Sequence, residues 1–154
     1  MNPGELREPV PPTIEVRLFQ EPEDLARCFE ALDVLHPGRL DPADFTATLT
    51  RMVREPGVRV AGIEEGPRVL ACVVFRVAES LSYGRHVSIE EIATVQDARA
   101  RGLGRILMDH VRDHGRAEGC ASIHLNSGLG RAATRRFYHR YGMDISSFHF
   151  KMEI

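Results

Sequence analysis

The passage Ala93-Thr-Val-Gln-Asp-Ala-Arg-Ala-Arg-Gly-Leu-Gly-Arg-Ile-Leu-Met108 constrains this chain more than any other. The β-branched run Val87 to Val95 reads as a strand, and Leu103, Ile106, Leu107, His110 and Val111 repeat at helical spacing. One short polar turn therefore carries a strand into a helix. A helix start leaves N–H groups without intrahelical partners and carries the positive end of the macrodipole, and glycine lets a ligand's oxygens approach the backbone. Arg99, Arg101 and Arg105 add fixed charge around Gly102 and Gly104. From Arg99 to Arg140 nine arginines stand against only Asp109, Asp113 and Glu118, so the segment calls for an anion. The overall charge of −2, the aromatic content of 6% and the lack of a basic tail argue against nucleic acid and for a small polyphosphate.

The rest of the chain supplies the frame. A length of 154 residues with 43% hydrophobic residues suits one compact core, so a single domain over 13–154 is expected. Residues 1–12 hold four of the nine prolines and no apolar period, and read as a flexible leader. Thr13 to Phe19 alternates as a half-buried strand with Ile14, Val16 and Leu18 on one side. A helix opens at Glu21-Pro22-Glu23-Asp24 and carries Leu25, Phe29, Leu32 and Leu35 as far as His36-Pro37-Gly38. A second opens at Asp41-Pro42 with Phe45, Leu49, Met52 and Val53 as its stripe. Val58 to Ile63 and Val69 to Ala78, joined by Glu64-Glu65-Gly66-Pro67-Arg68, form a hairpin. Beyond the motif helix, Ala121, Ile123 and Leu125 alternate as a strand, and a short helix runs from about Arg131 to Tyr141 and stops at Gly142. Ile145 to Ile154, with Phe148, Phe150 and Met152 at period two, reads as a closing strand. The order β-α-α-β-β-β-α-β-α-β predicts an α/β (α+β) fold, a mixed sheet with helices on both faces.

No apolar run reaches the roughly 18 residues that span a bilayer, and the N-terminus lacks a signal pattern, so a soluble cytoplasmic protein without membrane partners is expected. Cys28, Cys72 and Cys120 are too scattered for a disulfide framework or a metal site. His110 and His114 share a helical face, but Val111 stands where a zinc-protease motif needs glutamate, and no metal is expected.

The turn lacks the third glycine of the dinucleotide fingerprint and the lysine of a P-loop. Arg99-Ala-Arg-Gly102-Leu-Gly104 spells R-x-x-G-x-G, and with Phe137-Tyr138-His-Arg-Tyr-Gly142 near the expected separation the sequence resembles the GNAT superfamily of N-acetyltransferases over nearly its whole length. The stretch from Leu125-Asn-Ser-Gly through Arg-Arg-Phe-Tyr to Ser147-Phe-His-Phe-Lys151 is most similar to the aminoalkylphosphonate and small-amine acetyltransferases. The resemblance implies a mostly antiparallel sheet, acetyl-CoA as co-substrate and a small-molecule amine as acceptor, with a homodimer through terminal strands as a further option.

Carried over residue by residue, the resemblance gives Ala93, Thr94 and Val95 backbone contacts to the pantetheine arm and places Arg99, Ala100, Arg101, Gly102, Leu103, Gly104 and Arg105 around the pyrophosphate. Arg131 stands where many relatives have asparagine, and Asn126 or Ser127 are candidates for that contact; Ala100 replaces a common glycine, a change of small expected consequence. Acetyl transfer to an amine needs a base near neutral pKa. Glu90 and Glu91 qualify, strand alternation allows only one of them to face the cleft, and the resemblance favours Glu90. Tyr138 matches the tyrosine that reaches the CoA sulfur, and His36 and Arg39 lie where the acceptor wall is built. The alternatives are a catalytically silent CoA-binding domain and a protein N-terminal acetyltransferase.

Overall fold

The computed structural model describes residues 13–154, and the expected leader, residues 1–12, lies outside them. Strands β1 (Val16–Phe19), β2 (Val58–Glu65), β3 (Arg68–Ser80), β4 (Gly84–Thr94) and β5 (Ile123–Leu125) lie side by side in chain order. The β1–β2, β2–β3 and β3–β4 neighbours are antiparallel and β4–β5 is parallel. Helices α1 (Pro22–Ala26), α2 (Phe29–Asp33) and α3 (Pro42–Met52) connect β1 to β2, α4 (Leu103–Ala117) connects β4 to β5, and α5 (Ala132–Tyr141) follows. This is the expected mixed, mostly antiparallel sheet. Among the described residues no helix is long and apolar enough to cross a membrane.

Alternation along β3 assigns the two layers. The Phe75 ring meets His114 of α4 edge-on at 5.2 Å, while Val74 beside it turns to the opposite face and shares a recess with Leu32 of α2 and Leu49 of α3. Close approach of α4 explains a mid-helix glycine: a Cβ on Gly115 would stand 2.8 Å from Val87 Cγ2. His110 occupies the apolar stripe of α4, and burial pushes its pKa down, so it packs as a neutral ring. At the start of α3, Asp41 caps as expected, its Oδ1 accepting from the Asp44 N–H at 2.8 Å, with Pro42 in the first turn.

Three expectations are corrected. The first helix is two helices, α1 and α2. Leu25, Cys28 and Ala31 are all fully buried, a period of three, and the chain meets it with i−3 bonds from Arg27 and Cys28 N–H to the Asp24 and Leu25 carbonyls. In β1 the buried side chain is Phe19, 1% exposed, rather than Leu18 or Ile14, because its ring lies over Gly62 of β2, where a Cβ would come within 2.4 Å. The tail from Met143 to Ile154 forms no strand; among the described residues no sheet edge pairs with it, and Ile145, Phe148, Phe150, Met152 and Ile154 remain 68–114% exposed.

Two backbone details matter later. Gly57 enters β2 at φ +83°, its carbonyl accepting from Val77 N–H at 3.1 Å. In β4, Val74 opposes Glu91 while Phe75 opposes Ile89, so Glu90 is an extra residue, a β-bulge.

Candidate active site

The site lies where β4 and β5 part. They pair at Val87–Ile123, Ser88–His124 and Ile89–Leu125, and β4 runs on to Thr94 without a neighbour on that side among the described residues. Val95 donates its N–H to the Leu70 carbonyl of β3 at 2.8 Å, so alternation turns the N–H groups of Ile92 and Thr94 the other way, toward the gap. The gap opens into a cleft of about 730 Å³ floored by β4 and walled by the α4 turn, the loop after β5, and α5.

At the α4 end, Gly102 is the N-cap at φ +79°, and the first helical bonds run from Arg105 and Ile106 N–H to its carbonyl. The N–H groups of Leu103 and Gly104 precede that ladder and line the cleft with Arg99, Ala100 and Arg105. A side chain at Gly104 would meet the Phe137 ring of α5 at 3.5 Å, so the missing Cβ keeps this corner open. Among the described residues Arg99 makes no ion pair, whereas Arg105 stacks over Tyr141 with 5.6 Å to the ring centroid. Tyr141 in turn donates to Asp109 at 2.8 Å, and burial together with that carboxylate pushes its pKa up to about 12, which fixes α5 against α4.

Two residues expected to touch acetyl-CoA, Arg101 at the pyrophosphate and Val95 along the pantetheine arm, stand elsewhere. Arg101 reaches Glu65 of β2 at 3.1 Å, and Val95 is buried with its N–H committed to β3; neither lines the cleft. Ala100 also departs from expectation, because its φ of +64° is a left-handed conformation. Ala100→Gly relieves about 1–2 kcal/mol of strain against about 0.5–1 kcal/mol of added unfolded-state freedom. A net gain of about 0.5–1 kcal/mol, read as a higher urea midpoint at unchanged slope, is the expected result.

On the cleft floor both glutamates are present, not one. The bulge breaks the alternation, so Glu90 and Glu91 both line the cleft. Glu90 is engaged by Arg76 Nε at 2.9 Å, and Arg76 also holds Glu55 at 3.2 Å. Glu91 is 37% exposed at its side chain and faces His36 Nε2 at 3.5 Å. Burial raises its pKa above the ordinary carboxylate value, Glu90 adds to the rise, and His36 and Arg131 oppose it. Arg131 precedes α5 and donates to the Leu35 carbonyl at 2.8 Å, tying α5 to the turn after α2. Tyr138 lines the cleft among these groups, and burial raises its pKa, so its hydroxyl stays protonated.

Asn126 and Ser127 complete the wall, and the buried Ser127 hydroxyl has no hydrogen-bond partner among the described residues. An orphaned donor beside unpaired helix and strand N–H groups suits a ligand with several acceptor oxygens. The sequence reading missed the Arg76–Glu90 pair and the Arg131–Leu35 tether. Neither leaves a local signal, since the partners lie 14 and 96 residues apart.

Comparison with known proteins agrees with this geometry. The profile of the acetyltransferase (GNAT) family matches residues 23–143. The uncharacterized N-acetyltransferase YhdJ of Bacillus subtilis (strain 168) is 25% identical over 142 residues, spanning 92% of this chain and 99% of its own. Among solved structures, a transcriptional regulator from Bacillus halodurans C-125 superposes with a TM-score of 0.82 at 22% identity, covering 92% of this chain and 99% of the other. AAC(6')-Iy, in complex with the bisubstrate analog CoA-S-monomethyl-acetylneamine, does so at 0.76 and 14%, covering 92% and 97%. Likeness at these identities speaks for the fold, and the profile match over most of the length speaks for more: the chain belongs to the acetyltransferase (GNAT) family.

Proposed function

We propose that this protein, working as a single domain in the cytoplasm, moves an acetyl group from acetyl-CoA to a primary amine of a small molecule by direct attack. The observation that carries the reading is one continuous cleft in which an unpaired strand edge, a helix start, Glu91 and Tyr138 all take part. The free, buried thiols of Cys28 and Cys72 suit a reducing compartment. The CoA-based analog held by AAC(6')-Iy supports acetyl-CoA as the co-substrate here.

Acetyl-CoA supplies the activated acyl group; the chain's own residues bind and move protons. The Ile92 and Thr94 N–H groups pair with the amides of the pantetheine arm, and the Leu103 and Gly104 N–H groups with Arg99 and Arg105 receive the pyrophosphate. Glu91 takes the proton that the ammonium must lose before its nitrogen attacks. A backbone N–H at the β4 end donates to the carbonyl oxygen and stabilises the negative charge that develops on it. The Tyr138 hydroxyl then gives its proton to the departing thiolate, and the second proton, which the nitrogen sheds as the amide forms, returns to Tyr138 through solvent.

Tyr138→Phe is expected to lower kcat by about 10²-fold with acetyl-CoA affinity unchanged, as measured by titration calorimetry and stopped-time thiol release. Loss of binding in parallel with turnover would instead make Tyr138 a packing residue. For the function itself, calorimetric titration with acetyl-CoA is followed by thiol release against amines. Binding with amine-dependent release establishes the enzyme, and binding without release leaves a silent CoA-binding domain. The exposed apolar tail supports a homodimer, which a light-scattering mass of 17.3 kDa would remove.

A further inference from the structure

A second recess, of about 160 Å³, adjoins the cleft between α2, α3 and the strands β3 and β4. Phe29, Leu32, Phe45, Leu49, Met52 and Val74 form its wall, with Phe29 and Phe45 edge to face at 5.2 Å. His36 and Glu91 line both cavities, so the carboxylate stands where they meet. Charged groups elsewhere on the recess are few. Asp33 uses Oδ1 to accept the Gly38 N–H at 3.1 Å, and Arg39, opposite in sign, is exposed on the turn beyond. Phe29, Phe45 and Met52 are only half-buried, so the recess presents apolar side chains to open space.

We propose that this recess receives the apolar part of the acceptor, which makes the acceptor a primary amine bearing one phenyl-sized or five- to six-carbon alkyl group a short spacer from nitrogen. An apolar cavity of roughly 150 Å³ holds a benzene ring, so the volume matches. The nitrogen stays beside Glu91 at the mouth while the apolar end leaves water, the arrangement an amphipathic amine needs. A second ammonium or a phosphonate in the same space would lose its hydration among Phe29, Phe45, Leu49 and Met52, and the facing charges are weak compensation, Asp33 being engaged by the Gly38 N–H and Arg39 exposed to water. The inference rests on the acetyl-transfer reading above.

The test compares 2-phenylethylamine and hexylamine with putrescine and 2-aminoethylphosphonate, as acceptors in thiol release and as ligands of the CoA-loaded protein in calorimetry. The two apolar amines are expected to show kcat/KM at least tenfold above the two hydrophilic ones. Thr48→Trp, which places an indole in the recess from α3, is expected to raise their KM at least tenfold, with acetyl-CoA titration reporting that the variant is folded. Equal or faster release with putrescine or 2-aminoethylphosphonate overturns this inference and leaves acetyl transfer standing. Acetyl-CoA binding with no release for any amine overturns both.

Discussion

Glu91→Gln is expected to lower acetyl transfer at neutral pH by about 10²- to 10⁴-fold, the range a positioned general base contributes, while acetyl-CoA still binds. The amide cannot take the ammonium proton, yet its shape keeps the cleft floor intact. In the wild type, kcat/KM should rise with pH as Glu91 ionises, and the midpoint of that limb should sit above the usual carboxylate value because burial raises the pKa, Glu90 adds to it, and His36 and Arg131 only partly offset it. Stability should move the opposite way. A carboxyl whose folded pKa is raised contributes stability below its unfolded pKa and loses it as pH rises through the folded one, so ionised Glu91 burdens the fold at neutral pH. The glutamine variant should therefore melt no lower than wild type at pH 7. Glu90→Gln should cost less activity, since Arg76 holds that carboxylate as an ion pair. A variant at Glu91 with the wild-type pH profile, beside an inactive Glu90→Gln, would reverse the assignment.

Gly57→Ala should destabilise the fold by about 3 kcal/mol, from about 1–2 kcal/mol of left-handed strain and about 1–3 kcal/mol of overpacking. The second contribution is specific to this position, because the new Cβ would stand 2.6 Å from the Val77 carbonyl oxygen. That oxygen belongs to the backbone of β3 and cannot rotate away. Thermal unfolding should shift down by about 6–12 °C for a chain of this size. Gly38→Ala is the control: φ there is +71° with nothing within 4 Å of the added atom, so only the strain remains. Equal losses at the two positions would show that the clash is relieved by movement of β3.

Where sequence and structure agree, the signal is periodic or local. Leu103, Leu107 and Val111 announce α4, Asp41-Pro42 announces the start of α3, and Gly142 ends α5 at φ +98°. The hairpin needed only β-branched runs around Glu65-Gly66-Pro67. The misreadings come from partners far away in sequence. The Ile14-Val16-Leu18 stripe looks like a buried face until Gly62 makes room for Phe19 on the other side. The tail has a strand's alternation, but alternation says nothing about whether an edge is there to pair with it. At the site, the glycine turn, both glutamates and Tyr138 were legible as residue types, and the turn also as a spacing. That Arg101 reaches Glu65 of β2 instead of the cleft depends on a partner 36 residues away, and that Glu90 and Glu91 share the cleft depends on the register of β3 against β4, which no single strand encodes.

Glu90 matters by being there at all, apart from what its carboxylate does. Pairing of β4 with β5 ends at Ile89, the residue immediately before it. An added residue bends and over-twists the strand that carries it, so the same insertion that sets two acids side by side also carries the end of β4 away from β5. Opening of the cleft and the meeting of two carboxylates on its floor thus trace to the length of one strand. A chain shortened by that one residue could keep every partner β4 has on β3, and zip shut on the side where the cleft now opens.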